Sequence, residues 1–448
     1  MSAIEVRMPL AAAGSEEQVA DAARKAVALN AERLGLTDVV GVPQRVTVAD
    51  SGDWESAAMW IGAVCHMMGS PPPSWSGPVP GTTPETGHRS RDAMTDELVD
   101  VLAAMTARMA PALLDAPSEK RLAGHVGSGL RDRLGPVARE LLALRLPVAD
   151  ANKLAAVLHE CRNDPDWHAV ERLCEVWAPG ALHIAVPDGD LRAVTESWNA
   201  EDAVSDLRTD IAYLVGLPGP DWAFTVDTEL PTGCRRAWVN ALPTRRWSAR
   251  RPDLLGTSDP LREISLRYAG ALLERRSVAR WTSSGVDGWT GVAPLVDDDR
   301  SLSLLTAVLR SLLADVVPVR SLEWVAEVVA EVCHSDGADQ KAVARARRLL
   351  APEISWSLTA PVLKADPELE KAASDCRPPR DDRAAAEAIL SGARRAFPDG
   401  VGTVVTSSDA REDVREFLSR IVFGVRVLAR EELGSPEDYT SLPVLAPA

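Results

Sequence analysis

Residues 137–163 of this chain, VARELLALRLPVADANKLAAVLHECRN, lie without a gap on residues 308–334, VLRSLLADVVPVRSLEWVAEVVAEVCH. Of these 27 positions 10 are identical: Val137, Arg139, Leu141, Leu142, Ala143, Pro147, Val148, Ala155, Val157 and Glu160. Unrelated stretches of ordinary composition would share about two. A chain carrying one stretch twice must build the same unit twice and bury both apolar faces, so the repeat limits the architecture more than any other feature. The shared pattern is also physical. Leu302, Leu305, Leu309 and Leu312 recur at helical spacing, Pro318 breaks the run, and Leu322, Val325, Val329 and Val332 return on one face of a second helix. Asp150 and Ser321 share one aligned position, and both are residue types that cap helix N-termini. Each copy reads as a helix, a short Pro-containing turn and a helix.

The correspondence extends upstream. Ile4, Val6 and Met8 alternate as a half-buried strand, as do Leu182, Ile184 and Val186. A helix follows each. The first opens with Ser15 and Gln18 at capping-box spacing and closes at Leu34, Gly35 and Leu36; the second closes at Val215, Gly216 and Leu217. β-like segments come next, around 46–48 and 224–226, then around Trp60 and Trp238. The layout repeats at an offset of 171 to 181 residues.

The pattern predicts an α+β multidomain protein: two tandem copies of a small α/β sheet domain followed by a helical domain, plus a C-terminal α/β domain. The expected divisions are 1–92 and 93–178 for the first copy, 179–255 and 256–375 for the second, and 383–448 for the last domain. Residues 69–92, rich in Pro, Gly, Ser and Thr, are expected to be an exposed loop, cut by trypsin at Arg89 or Arg91. Residues 376–383 read as a linker. Helices are expected over 383–397 and 411–421, and strands over 402–406 and 425–428.

The formal charge of −16 argues against nucleic acid or an anionic membrane as partner, since a basic face is what releases phosphate counterions. No apolar run of membrane-spanning length and no signal-peptide pattern occurs, so the expected location is the cytoplasm, without direct membrane insertion. The six cysteines, at 65, 161, 174, 234, 333 and 376, form no CxxC pair and read as reduced thiols. Of 49 basic residues only 6 are Lys, a bias that suggests a GC-rich bacterial genome. Thirteen Trp stand against four Phe and three Tyr; Trp60 and Trp238, at equivalent places, read as core.

Two stretches resemble the FHIPEP family. In residues 304–332, Leu312, Leu313, Val317, Pro318, Val319 and Arg320 follow that family's leucine-rich helix and Pro turn. In residues 410–433, Arg411, Phe417, Leu418, Val427, Leu428, Glu432 and Leu433 follow its closing helix and strand, with Ala429 where the family has Ser. The motif residues we single out are Leu312, Leu313, Pro318, Arg320, Arg411, Leu428 and Glu432, in a structural role. The family forms the export gate of flagellar and virulence type III secretion, with a membrane half and a cytosolic half that assembles into a nonameric ring receiving substrates and chaperones. The resemblance implies the cytosolic fold over residues 180–448 and, more weakly, over 1–178. The membrane half has no counterpart here. The family's chaperone-docking stretch is reduced to residues 245–259, and in the first copy to the Pro/Gly loop.

Chemistry finds little footing. No GxGxxG or GxxxxGK[ST] cradle occurs, and Gly127, Ser128 and Gly129 lack nucleophile-elbow spacing. His159 with Cys161, and Cys333 with His334, lack the second pair that a zinc site needs. Asp297, Asp298 and Asp299 suit a helix N-terminus better than a cation site. The expected function is a soluble, non-catalytic protein-binding scaffold without cofactor or metal, whose partners are other proteins, an oligomer included. The alternatives are an enzyme with a nonlocal active site and a regulator in an unrelated bacterial system.

Overall fold

The computed structural model describes residues 4–40, 43, 45–51, 58–61, 64–67, 91–124, 128–148, 150–177, 181–199, 201–248, 258–283, 291–356, 361–375, 392–393, 395–397, 402–421, 425–433, 439 and 441–445. Among these residues the first sheet is built from β1 (Ile4–Met8), β2 (Val46–Asp50), β3 (Ala58–Ile61) and β4 (Val64–Met67), in the order β2-β1-β3-β4. Helix α1 (Glu16–Arg33) precedes β2. Ile4, Val6 and Met8 are buried in one apolar cluster with Val19, Ala23, Ala26 and Val27 of α1. The capping box forms as its spacing predicts: Gln18 N donates to Ser15 Oγ over 3.3 Å, and Ser15 N donates to Gln18 Oε1 over 2.9 Å. Helices α2 (Arg91–Arg108), α3 (Ala116–Ala123), α4 (Arg131–Ala143), α5 (Ala151–Glu160) and α6 (Asp166–Trp177) follow.

The second sheet has β5 (Ala181–Val186), β6 (Asp221–Val226), β7 (Cys234–Val239) and β8 (Leu242–Ser248), in the order β6-β5-β7-β8. Position for position this is the order of the first sheet. In both, the first strand pairs parallel with the second and antiparallel with the third, and the third pairs antiparallel with the fourth. The register agrees as well: Ile4 faces Val46 and Ile61, and Leu182 faces Trp222 and Val239. Glu5 faces Trp60 as His183 faces Trp238, so the two tryptophans hold one place in their sheets. Two helices, α7 (Asp188–Asn199) and α8 (Glu201–Val215), separate β5 from β6. After β8 come α9 (Ser258–Arg267), α10 (Arg275–Ser283), α11 (Asp299–Ala314), α12 (Leu322–Val332), α13 (Ala338–Leu349) and α14 (Ala351–Trp356).

The third sheet is parallel throughout. It comprises β9 (Val362–Ala365), β10 (Gly402–Thr406), β11 (Val425–Ala429) and β12 (Val444–Leu445), ordered β11-β10-β9-β12, with helices α15 (Pro367–Asp375) and α16 (Arg411–Ile421). Every residue of the GTVVT strand β10 is buried, as a parallel strand covered on both faces requires.

Several details depart from the sequence reading. Each of the first two sheets has a fourth strand, β4 or β8, that periodicity does not reveal. Strand β4 follows β3 within one apolar run, and β8 carries Pro243 and two arginines. The last residues of β8, 245–248, also occupy the beginning of the stretch read as a shortened docking insert. Strand β9 pairs with β10 and β12 and so belongs to the third sheet; residues 362–375 therefore do not continue the helical stretch 256–375. Trp60 is buried, whereas Trp238 is half-buried beneath the Arg33 guanidinium, 4.2 Å from its ring centre. The Pro/Gly loop except its last two residues, the 376–383 linker and most of 383–397 lie outside the described residues, and Arg91 opens α2.

The repeated turns agree to the individual hydrogen bond. After α4, Arg145 takes φ 62°, Arg145 N donates to Leu142 O, and Leu146 N donates to Leu141 O over 2.8 Å. After α11, Val316 takes φ 54°, Val316 N donates to Leu313 O, and Val317 N donates to Leu312 O over 2.9 Å. Non-glycine residues seldom adopt this left-handed conformation. Each turn then binds the end of the helix that precedes its sheet's second strand: Val148 N donates to Leu34 O over 2.9 Å, and Val319 N donates to Val215 O over 2.8 Å. The glycines that follow those acceptors, Gly35 and Gly216, have φ 65° and 78°. A Cβ on Gly216 would lie 2.4 Å from the Val319 carbonyl, so only glycine lets the turn seat there. At the cap positions the two turns differ. Asp150 accepts from Lys153 N over 3.0 Å, but Ser321 caps nothing; its hydroxyl donates to Glu353 Oε1 over 2.7 Å.

Candidate functional site

The singled-out residues converge on the end of α11. Leu312, Leu313 and Leu428 are buried in one apolar cluster with Val317, Val319, Leu322 and Val325. Pro318 is buried beside them, since α11 ends before it and the chain needs no N–H at that point. Arg320 is exposed: its guanidinium lies 4.6 Å from the centre of the Tyr213 ring, and its Nη2 donates to Tyr213 O over 3.0 Å. Glu327 is exposed as the helical pattern predicts, and Glu323 is half-buried.

Arg411 and Glu432 meet through residues that the sequence did not single out. Asp315, the C-cap of α11, accepts from Arg347 Nη1 at 2.8 Å and Arg411 Nη1 at 3.2 Å through Oδ2, and from Arg415 Nη1 at 3.3 Å through Oδ1. Arg347 also grips Glu432 with two parallel bonds, Nε to Oε1 at 2.6 Å and Nη2 to Oε2 at 2.8 Å, and reaches Val427 O at 3.2 Å. Glu432 Oε2 further accepts from Ala429 N over 3.0 Å. The side chains of Arg347, Asp315 and Glu432 are 1%, 5% and 4% exposed, so these charges depend on one another rather than on water. Burial alone would lower the Arg347 guanidinium, but Glu432 and Asp315 outweigh it and hold the pKa above its ordinary value. Burial, with the neighbouring Arg347 charge, pushes Arg426 down to about 10. The cluster fixes geometry: its carboxylates are occupied by arginines. Two signals in the sequence point to it. Asp315 falls where the first copy has Leu144, and Arg347 sits beside the buried Ala338, Ala342 and Ala346 stripe of α13, where a cation needs a partner.

A second buried pair joins the helices that follow the first sheet to those that follow the second. Glu171 of α6 meets Arg310 of α11 with Oε1 3.0 Å from Nε, the side chains being 2% and 6% exposed. Arg275 pairs with Glu175 and Asp299 nearby. At the other end of α4, Asn240 Nδ2 donates to Leu144 O and Ala241 N to Arg145 O. Burial pushes Glu171 up to about 7 against the pull of Arg310 and Arg275, and its Oε2 makes no hydrogen bond. A carboxyl raised on folding stabilises the fold fully below its unfolded pKa of about 4.3 and loses that contribution as pH rises through 7. The stability of the wild type relative to Glu171→Gln should therefore fall by roughly 3 kcal/mol between pH 4 and 8. Urea titrations of both proteins across that range measure it; a flat or rising difference would show that Glu171 enters the fold ionised.

The other candidates are separate from these clusters. Asp298 accepts from the Arg300 and Ser301 amides at 2.7 Å and caps α11, as expected of that acidic run. His159 and His334 are exposed, while Cys161 and Cys333 are buried, so neither adjacent pair shares a site. Among the described residues no helix is long and apolar enough to cross a membrane.

No protein-family model and no curated protein sequence matches the chain. Among solved structures it is similar to the CdsV protein of Chlamydia pneumoniae, at 15% identity and TM-score 0.44, over 59% of this chain and 95% of that one. It is similar to the Shigella flexneri MxiA protein at 13% and 0.44, over 59% and 96%. The nonameric EscV cytosolic domain from the type III secretion system follows at 13% and 0.41, over 59% and 96%.

Proposed function

We propose that this chain is a non-catalytic protein-binding scaffold. In this reading its second sheet, the helices after it and the third sheet form an export-gate-type cytosolic unit, and its first sheet and helices are a second copy without the closing domain. We divide the chain at about residue 180, as the sequence reading does, and place β9 onward with the closing unit because β9 pairs with β10 and β12. The observation that carries the reading is the meeting of the two family-like stretches. Lying far apart in sequence, they contribute Asp315 to one side and Arg411 and Glu432 to the other side of a single buried cluster. The duplication draws support from the common strand order and from the paired turns at Arg145 and Val316. Charges sequestered in arginine–carboxylate pairs stiffen a frame; they are not free to exchange protons with a substrate. Such a frame serves by presenting surfaces to other proteins, copies of itself among them.

The test is affinity capture of the full tagged chain from its native host under mild cross-linking, read by mass spectrometry. Defined proteins should be recovered in fixed ratio to the chain and cross-linked to its surface. Recovery of the chain alone, together with depletion of a small molecule from extract incubated with it, would overturn the scaffold reading.

A further inference from the structure

The segment from the end of α5 to the first turn of α6, CRNDPDWH, brings together three groups of different chemistry. The Cys161 thiol, an Asp164 carboxylate oxygen and an imidazole nitrogen of His168 all lie within 4.8 Å of one another. Cys161 and His168 are 5% and 8% exposed, and Asp164 is half-buried. His168 Nδ1 is buried without a hydrogen-bond partner, an arrangement that normally costs stability. Nε2 of the same ring faces Asp299 Oδ2 at 3.6 Å, so the carboxylate lies close to the imidazole without a hydrogen bond to it.

The backbone carrying these groups is held in place. Arg133 of α4 donates through Nη1 to Cys161 O at 2.7 Å and through Nε to Asp166 Oδ1 at 2.6 Å. Asp164 N donates to Cys161 O at 2.9 Å, and His168 N to Pro165 O at 3.1 Å. The nearby cations have carboxylates of their own: Arg133 has Asp166, Arg172 has Glu175, and Arg275 has Glu175 and Asp299. That leaves Asp164, and Cys161 once it loses its proton, to balance a dication. Folding of the connection does not require this set, because the aligned place of Cys161 in the second copy is held by Val332.

We propose that Cys161, Asp164 and His168 bind a zinc-type divalent ion through one sulfur, one oxygen and one nitrogen, with water in the fourth position. That mixed set is borderline-soft and suits Zn(II) over Ca(II) or Mg(II), which prefer all-oxygen sites. Bonds of about 2.0–2.3 Å bring tetrahedral ligand atoms to about 3.5 Å from one another, so side-chain shifts of about 1 Å close the site. Binding displaces the Cys161 proton to solvent and forms the metal–sulfur bond without any change of oxidation state. The ion would pin α5 to α6 in the copy whose α6 packs on α11. Pairing Cys161 with His159 near it in sequence misses this group, because the ligating histidine lies on the next helix.

Co(II) titration of the chelator-treated full chain tests the site. One equivalent should produce a thiolate-to-cobalt charge-transfer band in the near ultraviolet, and Zn(II) should displace it. Cys161→Ser should abolish the band. Asp164→Asn, a change at a half-buried position, should weaken Co(II) binding by at least about tenfold while leaving the far-ultraviolet circular dichroism unchanged. If Cys161→Ser fails to fold, Asp164→Asn decides alone. Absence of the band in the wild type, its persistence in Cys161→Ser from another thiol, or unchanged affinity in Asp164→Asn would each overturn the proposal.

Discussion

Replacing Arg347 with methionine should lower the unfolding free energy by about 3–5 kcal/mol, the usual result of removing one partner from a buried charge pair. The apolar volume is roughly retained, but Asp315 and Glu432 are left buried with their strongest donor gone. Glu432 loses two parallel bonds and keeps the Ala429 amide; Asp315 keeps the longer contacts of Arg411 and Arg415. Lysine at 347 should rescue little, because an ammonium cannot reproduce the planar two-point grip. The loss should centre on the third sheet, since Arg347 and Asp315 belong to α13 and the end of α11, whereas Glu432 and the Val427 carbonyl come from the closing segment. Urea melts give the total, and limited proteolysis after 361 locates it. A loss under about 1 kcal/mol would mean that the cluster is solvated and clamps nothing.

Leu313→Ala should cost about 2–5 kcal/mol, since Leu313 is 3% exposed within the apolar cluster around the Pro318 turn and its truncation leaves a cavity. Ser321→Ala should cost less, about 0.5–1.5 kcal/mol, because it removes one hydrogen bond to Glu353 rather than a helix cap. Denaturant melts of the two single variants rank them. Were Ser321→Ala the more damaging, the weight of the turn would rest on its polar bridge to α14 and not on leucine packing.

What could be read from the sequence follows from the range of the forces involved. The Pro turns, the Ser15 box, strand β10 and helix α16 all depend on residues within a few positions of one another, and their patterns survive in the text. The cap at Ser321 did not hold because Glu353, 32 residues away in sequence, competes for the hydroxyl. The fourth strands were hidden because tight hairpins leave no polar interval to mark them; Val239 and Leu242 already pair. The ionic cluster is half legible. Arg411 and Glu432 stand out through the family-like text; Asp315 and Arg347 each carry a local signal, but their connection to that pair needs α11 and α13 laid against the third sheet. The Cys161, Asp164 and His168 group straddles two helices, where single-helix periodicity has no reach.

The central claim is that one frame occurs twice and is locked twice by the same junction. Residue-resolved hydrogen exchange at Val148 and Val319 tests it most directly, because each amide makes the bond that seats its turn on the helix end, at Leu34 and Val215. Both amides should be strongly protected, and should open with free energies well above those of freely exposed loop amides. Fast exchange at Val148 alongside slow exchange at Val319 would show that the first copy does not keep the junction, and the duplicated frame would have to be given up.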